Sequence, residues 1–298
     1  MVTAPLTADL ASSTDPSAGV GGAFVAITLF AALLHATWNA MAHAVPDRLV
    51  GFGLIGVAYT LVGGAVAVGL GLPPASVWPL ILASAALHVA YNLLLLTSFQ
   101  LGEFSQVYPV ARGTAPWLVV VIEVAVLGRT LPLWQLVGVL VMSAGLISLA
   151  LEGGRFSRAQ LPALGAAVAT GACIAAYTVV DAQAVATAAV PVYAAWMFLL
   201  QGPVVPVIAL MARGRGLLTG TSRSTMTRGL AGGLVSLLAY GLVLYAQTSG
   251  ATAAVAALRE SSIVFGAIIG TVVLKERFGL SRIAAAIIVT VGIVLITL

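Results

Sequence analysis

Two arginines stand in the middle of apolar runs, Arg112 in "YPVARGTAPW" and Arg259 in "AALRESSIVFG". A guanidinium stays charged, and its forked donors match the two oxygens of a carboxylate. At the centre of a membrane helix it costs about 2.5 to 3.5 kcal/mol, so each arginine must face protein, water or a guest. Pro109 and Pro116 flank Arg112, and each withholds a backbone donor, which predicts a broken helix whose freed carbonyls line a cavity. Glu260 follows Arg259 and on a helix points about 100 degrees away, toward a partner on another helix.

Further polar side chains fall at helical spacing. His35, Trp38 and Asn39 share one face of a helix, and His88, Tyr91 and Asn92 repeat the pattern. They form either an asymmetric polar lining for a ligand or interhelical hydrogen bonds, worth about 0.6 kcal/mol each in a membrane. Glu123 lies on the face of Arg112, about three turns on. A carboxylate there, or either histidine, has the chemistry to carry a coupling proton, unless Glu123 simply reaches water at the end of its span. Asp181 has the same two readings. Tyr108, Tyr177, Tyr193, Trp196 and Tyr240 suit an aromatic cage around a substrate, whereas Trp78 and Trp134, close to span ends, suit anchors at the membrane interface.

Several chemistries lack their residues. The chain has no HExxH pair, no GxSxG elbow and no paired aspartates within its apolar runs. No catalytic residue, cofactor or metal site is expected. Cys173 is the only cysteine, which leaves no disulfide or zinc framework. The pI of about 9.6 comes without a basic stripe carrying interleaved aromatics, so nucleic acid is not an expected partner.

The elements that must position these groups are membrane helices. Of 298 residues 61% are hydrophobic and 7% charged, against about 25% charged in a soluble domain. Runs long enough to cross a bilayer, roughly 20 residues each, recur from residue 23 to the C-terminus. Hydropathy and turn residues predict ten spans, at 23–43, 49–70, 77–101, 104–127, 133–151, 161–182, 190–211, 228–249, 252–274 and 280–298. Residues 1–22 read as a disordered polar tail, and lacking a basic segment they precede a retained first span rather than a cleaved signal. Residues 152–160 read as a linker.

Of the thirteen Lys and Arg, Arg129 alone lies in an even-numbered connection, Arg112 and Arg259 lie inside spans, and the other ten fall in odd-numbered connections or at the span ends that border them, as Arg228 and Arg282 do. The positive-inside rule then puts both termini outside. The halves also repeat. Arg112 aligns with Arg259, Leu127 with Leu274, Gly145 with Gly292 and Leu151 with Leu298 without a gap, while Trp38 faces Tyr177 and Tyr91 faces Tyr240. The expected architecture is all-α and integral to the membrane, ten transmembrane helices as two inverted five-helix repeats, 23–151 and 161–298, with a substrate site near the midplane. Arg112 and Arg259, equivalent in this repeat, serve either a substrate or the scaffold. Gly229 with Gly233, and Gly266 with Gly270, have the four-residue spacing that lets helices approach closely.

With "LLHATWNA" in the first span, "YPVARGTAP" in the fourth, "AAYTVVD" in the sixth and "AALRESSIVFGAIIG" in the ninth, the chain resembles the EamA family of the drug/metabolite transporter superfamily. It departs from the common Gly-Glu-Arg pattern after span four, where it has "LGRT"; span nine ends in "LKER". The resemblance implies a ten-helix transporter of amino acids, organic acids or toxic compounds, often a proton-coupled exporter. The expected function is secondary active transport of a small metabolite across the plasma membrane by alternating access, about a site on spans one, three, four, six, eight and nine. Arg112, Tyr108, His35, Trp38, Asn39, His88, Tyr91, Asn92, Tyr177, Tyr240 and Arg259 are the candidate substrate contacts, and Glu123 the candidate proton carrier. The alternative is a flippase or exporter of a lipid or lipid-linked intermediate. Besides its substrate the chain needs only membrane lipid, and since one chain holds the whole pathway, a monomer suffices.

Overall fold

The computed structural model describes residues 21–102, 104–151, 158–214, 220–272 and 280–297. Almost all of the polar tail and most of the linker lie outside these residues. In chain order the helices are α1 (Gly22–His43), α2 (Arg48–Leu70), α3 (Trp78–Leu101), α4 (Phe104–Val121), α5 (Leu133–Leu151), α6 (Leu161–Val185), α7 (Val190–Gln201), α8 (Val204–Arg213), α9 (Arg223–Gln247), α10 (Thr252–Arg259), α11 (Ser262–Val272) and α12 (Leu280–Thr297). Among the described residues, seven helical segments are long and apolar enough to cross a membrane: Gly22–Ala42, Arg48–Leu70, Ala75–Leu101, Gln106–Val126, Arg158–Val185, Val190–Arg213 and Arg223–Gln247. Leu133–Ser148 and Ile283–Thr297 are apolar but shorter. The chain is a multi-pass membrane protein. Its outward faces carry bare aliphatic side chains such as Leu61, Val68, Leu140, Ile287 and Val294, while Arg112, Glu123, Asp181, Arg259 and Glu260 are buried.

Caps set several ends. Asp47 accepts from the backbone N–H groups of Leu49 and Val50 at the start of α2, and its other oxygen lies 2.9 Å from Arg213 at the end of α8. Ser222 caps α9 by accepting from Thr225 N–H. Two predicted spans are interrupted. α7 gives way to α8 at Gly202 and Pro203, where proline has no N–H to continue the ladder. α10 gives way to α11 at Glu260 and Ser261 with no proline at all. The break expected around Arg112 is absent: α4 runs unbroken through Pro109 and Pro116 and passes at its end into a π-turn, Ile122–Val126.

Bilayer lipid is as apolar as leucine, so the helices associate through close packing and polar contacts. α3 packs on α6, α1 on α9, α5 on α12, α2 on α7, and α4 on both α5 and α6. Glycines bring several pairs to backbone contact. A Cβ on Gly138 of α5 would sit 2.7 Å from the Gly292 carbonyl oxygen, and one on Gly292 2.8 Å from that of Gly138. Gly229 and Gly233 of α9 press on Leu54, Ile55 and Ala58 of α2 as their spacing predicts, whereas Gly266 faces open space. Gly292→Ala is therefore expected to push α5 and α12 apart and destabilise the protein by about 1–3 kcal/mol, as overpacking does. Gly266→Ala, with nothing within 4 Å of the new methyl, is the matched control. Thermal unfolding of the two purified variants checks the difference; equal midpoints would refute the tight crossing.

Candidate functional site

A cavity of about 70 Å³ lies inside the bundle. α1 supplies His35 and Trp38, α3 His88, Tyr91 and Asn92, α6 Tyr177, α9 Ser236 and Tyr240, and α10 Arg259. The rest of the wall comes from two spans not expected to contribute. Phe52, Ile55, Gly56 and Tyr59 come from α2, and Phe198, Gln201, Gly202 and Val205 from α7, α8 and the break between them. Span four supplies none of these residues. Tyr108 and Arg112, both on α4, and Asn39 are not among them. Of the aromatic cage, Tyr177 and Tyr240 line the cavity. Trp196 instead donates to the Gly71 carbonyl, 2.9 Å away, and meets Trp78 edge-on at 5.1 Å. A second, open cavity of about 580 Å³ between α2, α7 and α9 is lined mostly by aliphatic side chains, Val66 and Leu238 among them exposed. Phe198 is a wall of both.

The two histidines are held differently. His35 Nδ1 accepts from Trp38 Nε1–H at 3.2 Å, which leaves the ring proton on Nε2 when the imidazole is neutral. His88 Nδ1 lies 2.9 Å from the Ser84 carbonyl oxygen. A carbonyl only accepts, so Nδ1 carries the proton and Nε2 of the neutral ring is an acceptor. The matched spacing thus yields one donor and one acceptor. Asn39 and Asn92 each donate back to the carbonyl of the histidine four residues earlier, at 2.8 and 2.9 Å. The His88 ring stacks on Tyr177 with centroids 3.9 Å apart and meets Tyr240 edge-on at 5.1 Å. Across the cavity Tyr59 Oη and Ser236 Oγ are hydrogen-bonded at 2.6 Å.

The neighbours Arg259 and Glu260 divide where α10 ends. Glu260 turns to α4, where its Oε2 lies 2.8 Å from Arg112 Nε in an ion pair without hydrogen-bond alignment. Arg112 also donates from Nη2 to Ser262 Oγ, 3.3 Å away, at the start of α11. Arg259, only 3% exposed, faces the cavity instead. Its Cζ stands 5.9 Å from the Tyr177 ring centroid, its Nε makes no hydrogen bond, and among the described residues no carboxylate lies within ion-pair distance of it. Glu260 Oε1 and Ser261 Oγ are likewise buried without hydrogen bonds. Such atoms call for a bound polar guest or water.

Glu123 and Asp181 do not reach water. Glu123, 1% exposed, sits in the π-turn 2.7 Å from Arg129 Nη1 and accepts at 3.2 Å from the Ala253 N–H in the first turn of α10. It brackets two helix ends and does not line the cavity. Asp181, 0% exposed, accepts from the Tyr193 hydroxyl of α7 and the Tyr240 hydroxyl of α9. Sequence pattern could place Asp181 on α6 but could not supply these partners, which lie 12 and 59 residues away.

Residues 161–298, the stretch from α6 to the C-terminus, match the EamA-like transporter family. No curated protein matches the chain. One solved structure, titled only "Crystal structure of protein", superposes with a TM-score of 0.74 over 93% of this chain and 98% of its own, at 18% identity. At that identity the likeness concerns the fold.

Proposed function

We propose that this multi-pass membrane protein, whose residues 161–298 match the EamA-like transporter family, is a transporter that moves a small carboxylate-bearing metabolite by alternating access and acts as an exporter. The observation that carries the substrate class is Arg259, a buried cation on the cavity wall with no carboxylate within ion-pair distance among the described residues. Its forked donors suit a carboxylate. The aromatic rings of Tyr177, His88 and Tyr240, with the donor and acceptor histidines, give the cavity the unequal walls that an asymmetric amino acid or organic acid requires. Arg112, occupied by Glu260, braces the α10–α11 break in this conformation.

In this reading ten spans form two inverted five-helix halves. Packing supports it: exchanging the halves turns the α3–α6 pair into α9–α1, while α2–α7 and α5–α12 pair equivalent spans across the centre. Both helix interruptions abut the cavity, through Gly202 and Arg259, where a change of backbone angle would open one side and close the other. Export and a plasma-membrane location follow the family resemblance, and the Lys/Arg bias puts both termini outside. The cavity is complete within one chain, so a monomer suffices.

The test is thermal unfolding of the protein in nanodiscs against amino acids, organic acids, amines, nucleosides and lipids. A ligand at 100 times its Kd adds about 2.7 kcal/mol to the folded state. Stabilisation by at least one carboxylate compound is expected. Stabilisation by amines or lipids alone would overturn the substrate class.

A further inference from the structure

Asp181 is a carboxylate buried within a membrane span, with no arginine or lysine in ion-pair contact among the described residues. Its partners are neutral hydroxyls, Tyr193 from α7 and Tyr240 from α9. Glu123, by contrast, is bound to the Arg129 cation and to a helix end, and it is not among the residues that line the cavity. Tyr240 is both a ligand of Asp181 and part of the cavity wall. Its ring meets His88, and His88 and Tyr177 are both within electrostatic reach of Asp181. The groups facing this carboxylate are thus His88 from α3, Tyr177 on its own helix, Tyr193 from α7 and Tyr240 from α9. α10 brings Arg259, 5.9 Å from the Tyr177 ring centroid and within electrostatic reach of Tyr240 and His88, and the Arg112 cation of α4 is turned to Glu260.

We propose that Asp181 is the proton-binding site of the transport cycle, with the Tyr240 hydroxyl joining it to the cavity. This rests on the transport reading above. A proton taken from the side to which the cavity is open binds an Asp181 oxygen. The new O–H donates to Tyr240 Oη, and the hydrogen that Tyr240 gave to the carboxylate turns away toward the cavity. No hydrogen bond at Asp181 is lost, one buried charge is neutralised, and the wall gains a donor. Release to the other side reverses the step. Occupancy of Asp181 and of the substrate site are then linked through one hydroxyl.

Infrared spectroscopy of the full chain in lipid, titrated with acid and base, tests this without a substrate. A carboxylic-acid C=O band that shifts on isotopic labelling of aspartate is expected to appear reversibly while the protein stays folded. It should vanish in Asp181→Asn and survive in Asp47→Asn. Asp181→Asn also removes an acceptor that holds three helices together, so Tyr240→Phe, which keeps the ring and deletes the hydroxyl, is the second variant. It should shift the titration midpoint of the band. The companion assay uses vesicles holding the protein, a trapped pH dye and a mixture of the twenty common amino acids. An imposed pH gradient should speed uptake in the wild type and lose its influence in Tyr240→Phe. Absence of the band, its persistence in Asp181→Asn, or an unaltered gradient response in Tyr240→Phe would overturn the proposal. A wild type that moves none of the amino acids, gradient or not, would count against the amino-acid form of the transport reading instead, and the infrared result alone then decides the role of Asp181.

Discussion

Arg259→Gln is expected to leave an inserted, folded protein that no longer responds to carboxylates. Hydrogen bonds to a charged group contribute about 1.5–3 kcal/mol. At about 1.4 kcal/mol per tenfold, their loss weakens binding by roughly one to two orders of magnitude. Stability moves the other way or not at all, because the substitution removes a buried cation that no carboxylate among the described residues meets in an ion pair. That opposition separates a ligand-binding arginine from a brace. The measurement is thermal unfolding in nanodiscs with and without the stabilising carboxylate. A mutant whose ligand response equals that of the wild type would remove Arg259 from the site.

Glu260→Leu should do the reverse, and more severely. It leaves Arg112, 5% exposed, as a buried cation without its counterion, and breaking such a pair costs about 3–5 kcal/mol. The double variant Arg112→Met, Glu260→Leu removes both charges and should recover most of that loss. Unfolding midpoints of the two singles and the double form a cycle that measures the coupling. If the single substitution at Glu260 were harmless, the 2.8 Å approach of the two side chains would carry no energy, and the bracing role of Arg112 would fall with it.

The helical class was legible because 61% hydrophobic residues with 7% charge require a backbone satisfied within lipid, and the long apolar runs lack the alternation of barrel strands. Helical spacing also placed His35 beside Trp38 and His88 beside Tyr91, since neighbours within a helix need no knowledge of the bundle. Partnership between helices was not legible in that way. Arg112 and Arg259 look equivalent in the aligned halves, yet one faces Glu260 and the other the cavity, a difference set by where α10 stops. Proline was a poor guide to that stop. Pro109 and Pro116 sit inside a continuous helix, where neighbouring groups can accommodate a missing donor, while the run from Arg259 to Ser262 breaks without one. Contributions of α2 and α7 to the cavity were missed for a related reason. Tyr59 and Phe198 lie in apolar runs with no neighbouring charge to single them out, and only the rotation of each helix about its axis turns them toward the cavity.

The pairing of Arg112 with Glu260 and Ser262 also bears on how the protein is made. Ser262 is 150 residues downstream of Arg112. The ribosome therefore delivers α1 to α5 to the membrane with a cation whose counterion has yet to be synthesised. Through most of translation that arginine must be held by water, lipid headgroups or the insertion machinery, and it is locked into the bundle only when the penultimate predicted span arrives. The ion pair thus joins the early half of the nascent chain to a helix made much later.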